Sequence, residues 1–288
     1  MSRENLVAGD GVVLGEDVEI GANVVIHAGT VIGDGVVIQD NVVLGKQPRL
    51  GKKSTAKREP AAPLKIGSGT AICAGAVIFA GSVIGDDCVI GDQTAIRERV
   101  TIGDNVIVGR GSLVENDTSI GDNTKIQANV YITAYSLLED NVFIAPCVAT
   151  TNDNFMGRTE ARHDFVKGPT IRRGARVGGA CILLPGIEIG EEAFIAAGAL
   201  VTKDVPAGKL LKAPVDLPRA KGELEVERIL GKMAGKICGT CRKFAVGDSR
   251  RRVAKRNLRA TRLRMTVKKR RNRCDEIRLE HISPSTIR

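Results

Sequence analysis

Tryptophan is absent from these 288 residues, and six Phe and two Tyr are the whole aromatic complement, 3% of the chain. A core built on large rings is excluded. No stretch approaches the ~18 consecutive apolar residues that a bilayer crossing requires, and the opening MSRENLVAGDG lacks the apolar segment of a secretory signal. A cytoplasmic protein is expected. Histidine is nearly missing as well, with only His27, His163 and His281. Cysteine offers little chemistry: Cys238-Gly-Thr-Cys241 is a lone CxxC with no second pair at zinc-ribbon spacing.

Charge is unevenly spread. Residues 242–288 hold 17 Lys/Arg against 4 Asp/Glu, so the overall net charge of +10 leaves residues 1–241 at −3. Runs such as Arg250-Arg251-Arg252 and Lys268-Lys269-Arg270-Arg271 make this basic tail the one part suited to nucleic acid or an anionic surface. It has no interleaved aromatics, and a solvated extension is the simpler reading. Residues 220–236 read as a short amphipathic helix that caps the repeats described next. Two domains follow, 1–215 and 216–288.

What the chain does have is a beat of six. Leu14, Ile20, Ile26, Ile32, Ile38 and Leu44 open it; Ile66 begins an unbroken run of fourteen ending at Ile144; Ile171, Val177, Leu183, Ile189, Ile195 and Val201 close it. Four places after nearly every one stands a small or β-branched residue, such as Val24, Thr70, Ser82 and Cys88. Neither a helix nor a simple strand has this period. A short strand followed by a sharp turn does, and phrases such as Ile-Gly-Asp-Asn supply the turn.

In this pattern residues 8–215 resemble the left-handed parallel β-helix (hexapeptide-repeat) acyltransferases. The resemblance implies an all-β solenoid with three hexapeptides per coil and, for 26 repeats, about nine coils. It also implies a homotrimer with active sites between subunits. Residues 18 apart then stack vertically. One stacked face has ordinary turns, Ile84-Gly-Asp-Asp through Leu138-Glu-Asp-Asn. Another lacks its turn glycine four times running, at Ile96-Arg-Glu-Arg, Val114-Glu-Asn-Asp, Ile132-Thr-Ala-Tyr and Thr150-Thr-Asn-Asp. Glu98, Asn116 and Asn152 fall in one rank there, interrupted by Ala134. This polar ladder reads either as a site wall or as opposite charges pairing between coils, Arg97 with Glu115 and Arg99 with Asp117. Insertions at 46–65, with seven Lys/Arg and three Pro, and at 150–168 interrupt the beat.

Residues 171–206 resemble the coenzyme A end of the acetyltransferases in this family. There the pantetheine arm runs between coils, which requires small side chains: Gly178, Gly179, Ala180, Ala197 and Gly198. Arg172, Arg173 and Lys203 are the candidate cations for its phosphates. Three His from two subunits, as the zinc-dependent branch needs, cannot be assembled, so no metal is expected. A coil-borne catalytic His is also lacking, which favours an amine acceptor, since a free amine is already a good nucleophile. The pattern, including Thr151-Asn-Asp-Asn-Phe155, resembles the nucleotide-linked amino-sugar N-acetyltransferases. An acetyl-CoA-dependent N-acetyltransferase acting on the 3-amino group of a nucleotide-linked sugar is expected, with Glu98, Asn116, Asp153 and Asn154 positioning the amine and His163 as a fallback base. The rivals are an O-acetyltransferase using His163 as base and a non-catalytic scaffold.

Overall fold

A computed structural model describes residues 4–52 and 59–212. Its strands are nearly all two residues long and pair in parallel, in three sheets of ten, nine and ten strands. Consecutive strands up to Leu200–Val201 visit sheets 1, 2 and 3 in turn, so each set of three is one coil. The register confirms the vertical spacing: Ile96 pairs with Val114, Ile102 with Ile120 and Val108 with Ile126. The fold class is the expected left-handed parallel β-helix. The coil count is a correction, because three further strands extend it: Val7–Ala8, Ala149–Thr150 and Leu210–Leu211. Their inward positions hold Ala8, Thr150 and Leu211, which a search for branched aliphatics on a strict six-residue beat passes over. The helical cap at 220–236, the basic tail, the CxxC pair and the boundary at 215 all lie outside the described residues.

Each repeat residue points inward, and all are buried except Leu14 near the open end. The small slot four places on has a second task. Its hydroxyl or thiol donates to a carbonyl 15 positions ahead, as in Thr70 to Gly85 (3.0 Å), Ser82 to Arg97 (2.8 Å) and Cys88 to Gly103 (3.1 Å). The Thr70 and Ser82 oxygens also accept the N–H groups of Cys88 and Val100, 18 positions ahead. Buried turn backbone is thereby satisfied from inside the prism.

The Ile-Gly-Asp-Asn phrase has an equally local cause. Its Asp accepts the backbone N–H of the residue 18 earlier: Asp86 from Ser68 (2.7 Å), Asp104 from Asp86 and Asp122 from Asp104 (2.8 Å each). Its Gly makes room for the next coil's Asp, and the Asn takes the left-handed backbone (φ +55° at Asn105) that Asn tolerates better than most residues.

Candidate active site at one corner of the prism

The prism has three edges. The first corner joins sheet 1 to sheet 2, the second joins sheet 2 to sheet 3, and the third joins sheet 3 back to sheet 1. Both insertions leave from the first corner: strand Val43–Lys46 of sheet 1 precedes one and Ala149–Thr150 precedes the other. Five inter-strand steps separate them in sheet 1, which at ~4.8 Å each is a span of roughly 24 Å. The polar ladder lies along that span.

The ladder is assembled as the 18-residue rule requires, and its charges pair. Glu98 is 1% exposed; Arg97 grips it through Nε at 2.9 Å and also reaches Glu115 at 3.4 Å. Arg99 makes a two-point contact with Asp117, 2.8 Å to each oxygen. Asn116 donates its amide to Asp117 at 2.6 Å. Asp117 holds the Arg99 guanidinium above its usual range. Arg97 also lies over the Phe79 ring, 5.2 Å from its centre, with Lys46 5.5 Å from the same centre. Wall and ion-pair network are the same structure: a rigid, mostly neutralised surface, with Glu98 behind its arginines rather than facing solvent.

The second insertion is tied down at its base. Asn152 donates to the Ala134 carbonyl (3.4 Å) and accepts from the Lys167 N–H (3.0 Å). Asp153 accepts from the N–H groups of Phe155 (2.8 Å) and Gly157 (2.9 Å) and from Arg162 (2.9 Å). Burial alone would raise its pKa, but these donors outweigh that effect and hold the carboxyl below its ordinary value. Asp153 therefore anchors the loop as a carboxylate and is a weak proton acceptor. Asn154 is exposed beside it. His163 sits on the short 3-10 turn Glu160–Asp164, 3.6 Å from the Glu160 carboxylate.

The residues assigned to the donor divide among the corners. Gly178, Gly179, Ala180, Ala197 and Gly198 share the third corner, where the Gly198 N–H bonds to the Gly179 carbonyl at 2.8 Å. A Cβ at Gly178 would stand 2.5 Å from the Ala197 nitrogen, so that glycine is required by stacking alone. Gly198 has nothing within 4 Å of its Cβ position, which leaves open space over the rank. Arg172 and Arg173 stand at the second corner, in the stack of ordinary turns. Arg172 bonds Glu139 (2.7 Å) and Glu188 (2.9 Å), and Arg173 bonds Glu191. Glu188 and then Glu139 raise the Arg172 pKa, and both carboxyls are lowered in return. Lys203 is exposed at the first corner, above the second insertion.

The cation beside the small-residue rank is one the sequence reading missed. Arg176 opens the strand Arg176–Val177 just before Gly178, is ion-paired with Glu192 at 3.3 Å and pairs in register with Phe143 and Phe194, and together they line a groove of about 260 Å³. One other group beside the ladder was also passed over, Tyr131. Burial, with a contribution from Glu115, raises the Tyr131 phenol, which stays protonated at neutral pH.

Sequence-family comparison agrees with this architecture. The bacterial transferase hexapeptide (six repeats) matches residues 11–46 and 81–116, and the hexapeptide repeat of succinyl-transferase matches 99–134 and 171–203. The repeats of this chain are thus those of the hexapeptide-repeat transferases. Solved structures similar to this chain include the UDP-N-acetylglucosamine acyltransferase of Campylobacter jejuni, 20% identical over 76% of this chain and 80% of that one, TM-score 0.46. The Arabidopsis UDP-N-acetylglucosamine acyltransferase is 17% identical over 74% and 71%, TM-score 0.40. A hexapeptide-repeat-containing acetyltransferase from Vibrio cholerae is 17% identical over 51% and 67%, TM-score 0.29. Among the described residues no helix is long and apolar enough to cross a membrane, and no group of three or more His, Cys, Asp or Glu is placed to hold a metal ion.

Proposed function

We propose that this hexapeptide-repeat transferase is an acetyl-CoA-dependent N-acetyltransferase whose acceptor is the 3-amino group of a nucleotide-linked amino sugar. The observation that carries the reading is the first corner. Two insertions bracket a pre-paired polar wall there, and the third corner offers small residues beside a cation-bearing groove. Acetyl-CoA lies along the third corner, with Gly179, Ala180, Ala197 and Gly198 giving room for the pantetheine arm and Arg176 in place of Arg172 as the nearest cation. The acceptor lies along the first corner. In a homotrimer the first corner of one subunit faces the third corner of its neighbour, which brings the two substrates together.

The amine nitrogen attacks the thioester carbonyl; a C–N bond forms, the C–S bond breaks and the thiolate of CoA takes the proton the nitrogen loses. Glu98 acts through Arg97 and Arg99 as a positioning residue, and Asn116 and Asn154 orient the amine. Asp153 fixes the loop. His163, exposed and near Glu160, is the base for the O-acetylation rival.

The test is thiol release from acetyl-CoA with a panel of nucleotide-linked amino sugars and their hydroxyl counterparts, in wild type and His163→Ala. Release with an amine acceptor that survives His163→Ala is expected. Release with hydroxyl acceptors alone, abolished by His163→Ala, would establish O-acetylation instead. No acetyl-CoA binding by calorimetry would leave the scaffold.

A further inference from the structure

The few aromatic rings of this chain are distributed very unevenly. Phe79, Tyr131 and Tyr135 lie along the first corner, and Phe155 and Phe165 pack on each other in its second insertion, 5.9 Å between ring centres. Elsewhere among the described residues only Phe143 and Phe194 carry rings. Those at the corner contribute little to the core: Tyr135 is 50% exposed and Tyr131 39%.

Tyr135 is the telling member. It occupies the left-handed slot of its turn, at φ +63°. The same slot holds Asn at 41, 105, 123 and 141 and Gly at 35, 69 and 81. It also holds Asp87, Gln93, Arg99 and Glu192, so a long side chain is no exception there; each non-glycine residue bears the left-handed cost, and Tyr135 is the one aromatic ring to do so among the described residues. Burial does not compensate, because the ring stands half in solvent. A ring held half in solvent, between two insertions and on a polar wall, is available to stack on a ligand.

We infer that Tyr135 is the stacking platform for the heterocyclic base of the acceptor, an inference that rests on the function proposed above. A planar heterocycle suits what surrounds the ring. Its face covers the phenol ring, and its polar edge meets the side-chain amide of Asn116, one coil away; the backbone carbonyl of Asn116 already accepts the Tyr135 N–H at 3.3 Å. Arg99 holds the same left-handed slot two coils away on the same corner. Stacking of a base on an aromatic side chain contributes about 1–3 kcal/mol.

The probes are UDP and dTDP, with inorganic pyrophosphate as the control that lacks a base. Calorimetry on the full chain should show at least one nucleotide binding more tightly than pyrophosphate. Tyr135→Ala should weaken that nucleotide about tenfold or more and leave acetyl-CoA affinity unchanged, while Tyr135→Phe should keep most of the affinity. With two Tyr and no Trp in the chain, the emission of a Tyr131→Phe variant comes from Tyr135 alone, and the bound nucleotide should quench it. The inference is overturned if wild type binds neither nucleotide better than pyrophosphate, or if Tyr135→Ala binds as wild type does. It is overturned equally if Tyr135→Ala sediments as a smaller species, which assigns the ring to a subunit contact. Turnover of bare amino sugars would sink this inference and spare the N-acetyltransferase reading; absence of thiol release with every acceptor would sink that reading itself.

Discussion

At Gly85 a methyl group would stand 2.3 Å from Oδ1 of Asp104 and 2.6 Å from the backbone of Gly103, while at Gly35, in a left-handed turn, it would meet nothing within 4 Å. The two glycines differ in cause. Gly85→Ala should cost about 3 kcal/mol, through overpacking and the strained Asp86–Asp104 hydrogen bond. Gly35→Ala should cost only the left-handed penalty of about 1 kcal/mol. Thermal unfolding of both variants checks the order. Glu98→Ala removes a buried carboxylate but leaves Arg97 with Glu115 and Arg99 with Asp117. A loss of about 1–3 kcal/mol is expected, tempered by the partly exposed arginines. Turnover should fall while acetyl-CoA affinity holds; unchanged turnover would remove Glu98 from the acceptor site.

Among the elements, the coil that launches the second insertion is the irregular one. Thr150 is the one hydroxyl residue on the inward rank, fully buried, and its Oγ1 accepts the Thr133 N–H at 2.7 Å while donating to the Tyr131 carbonyl at 3.2 Å. Thr150→Val fits the rank but orphans a buried N–H, at a cost of about 1–3 kcal/mol. Thr150→Ser should be nearly neutral, and chemical denaturation of the two variants decides between packing and hydrogen bonding. The loop beyond it has a pH window set by Asp153. Because that carboxyl lies below its ordinary value when folded, its stabilising contribution is present above the unfolded pKa, ~3.9, and is lost as pH falls through the folded value. Hydrogen exchange at the Phe155 and Gly157 amides should stay slow from pH 8 to 5 and quicken only in stronger acid. Rates are compared with the intrinsic exchange rate at each pH, and protection lost between pH 8 and 5 would remove Asp153 as the anchor.

Across the whole molecule, the sequence made the solenoid and its stacked ladder legible because the period is set by side chains that must point inward. Ala8, Thr150 and Leu211 escaped because two are not branched aliphatics and the third follows a turn of irregular length. The placement of Arg172 was harder for a different reason. The insertion makes Leu138 pair with Ile171, 33 positions on, so counting by eighteens fails there and Arg172-Arg173 goes to the stack of ordinary turns. The donor end was read along the chain as one segment, whereas the prism sends successive hexapeptides to three different edges. Arg176 was missed because a cation on a flat sheet face carries no turn signature.

The central claim is that two edges of the prism serve two substrates, and hydrogen exchange in the presence of each ligand tests it most directly. Acetyl-CoA should slow exchange along the third corner, around Ala180 and Gly198, and a nucleotide-linked amino sugar should slow it along the first, at 97–99, 115–117, 133–135 and 151–157. Protection by acetyl-CoA centred on Arg172 and Arg173 at the second corner, or an acceptor that leaves the first corner unchanged, would contradict it.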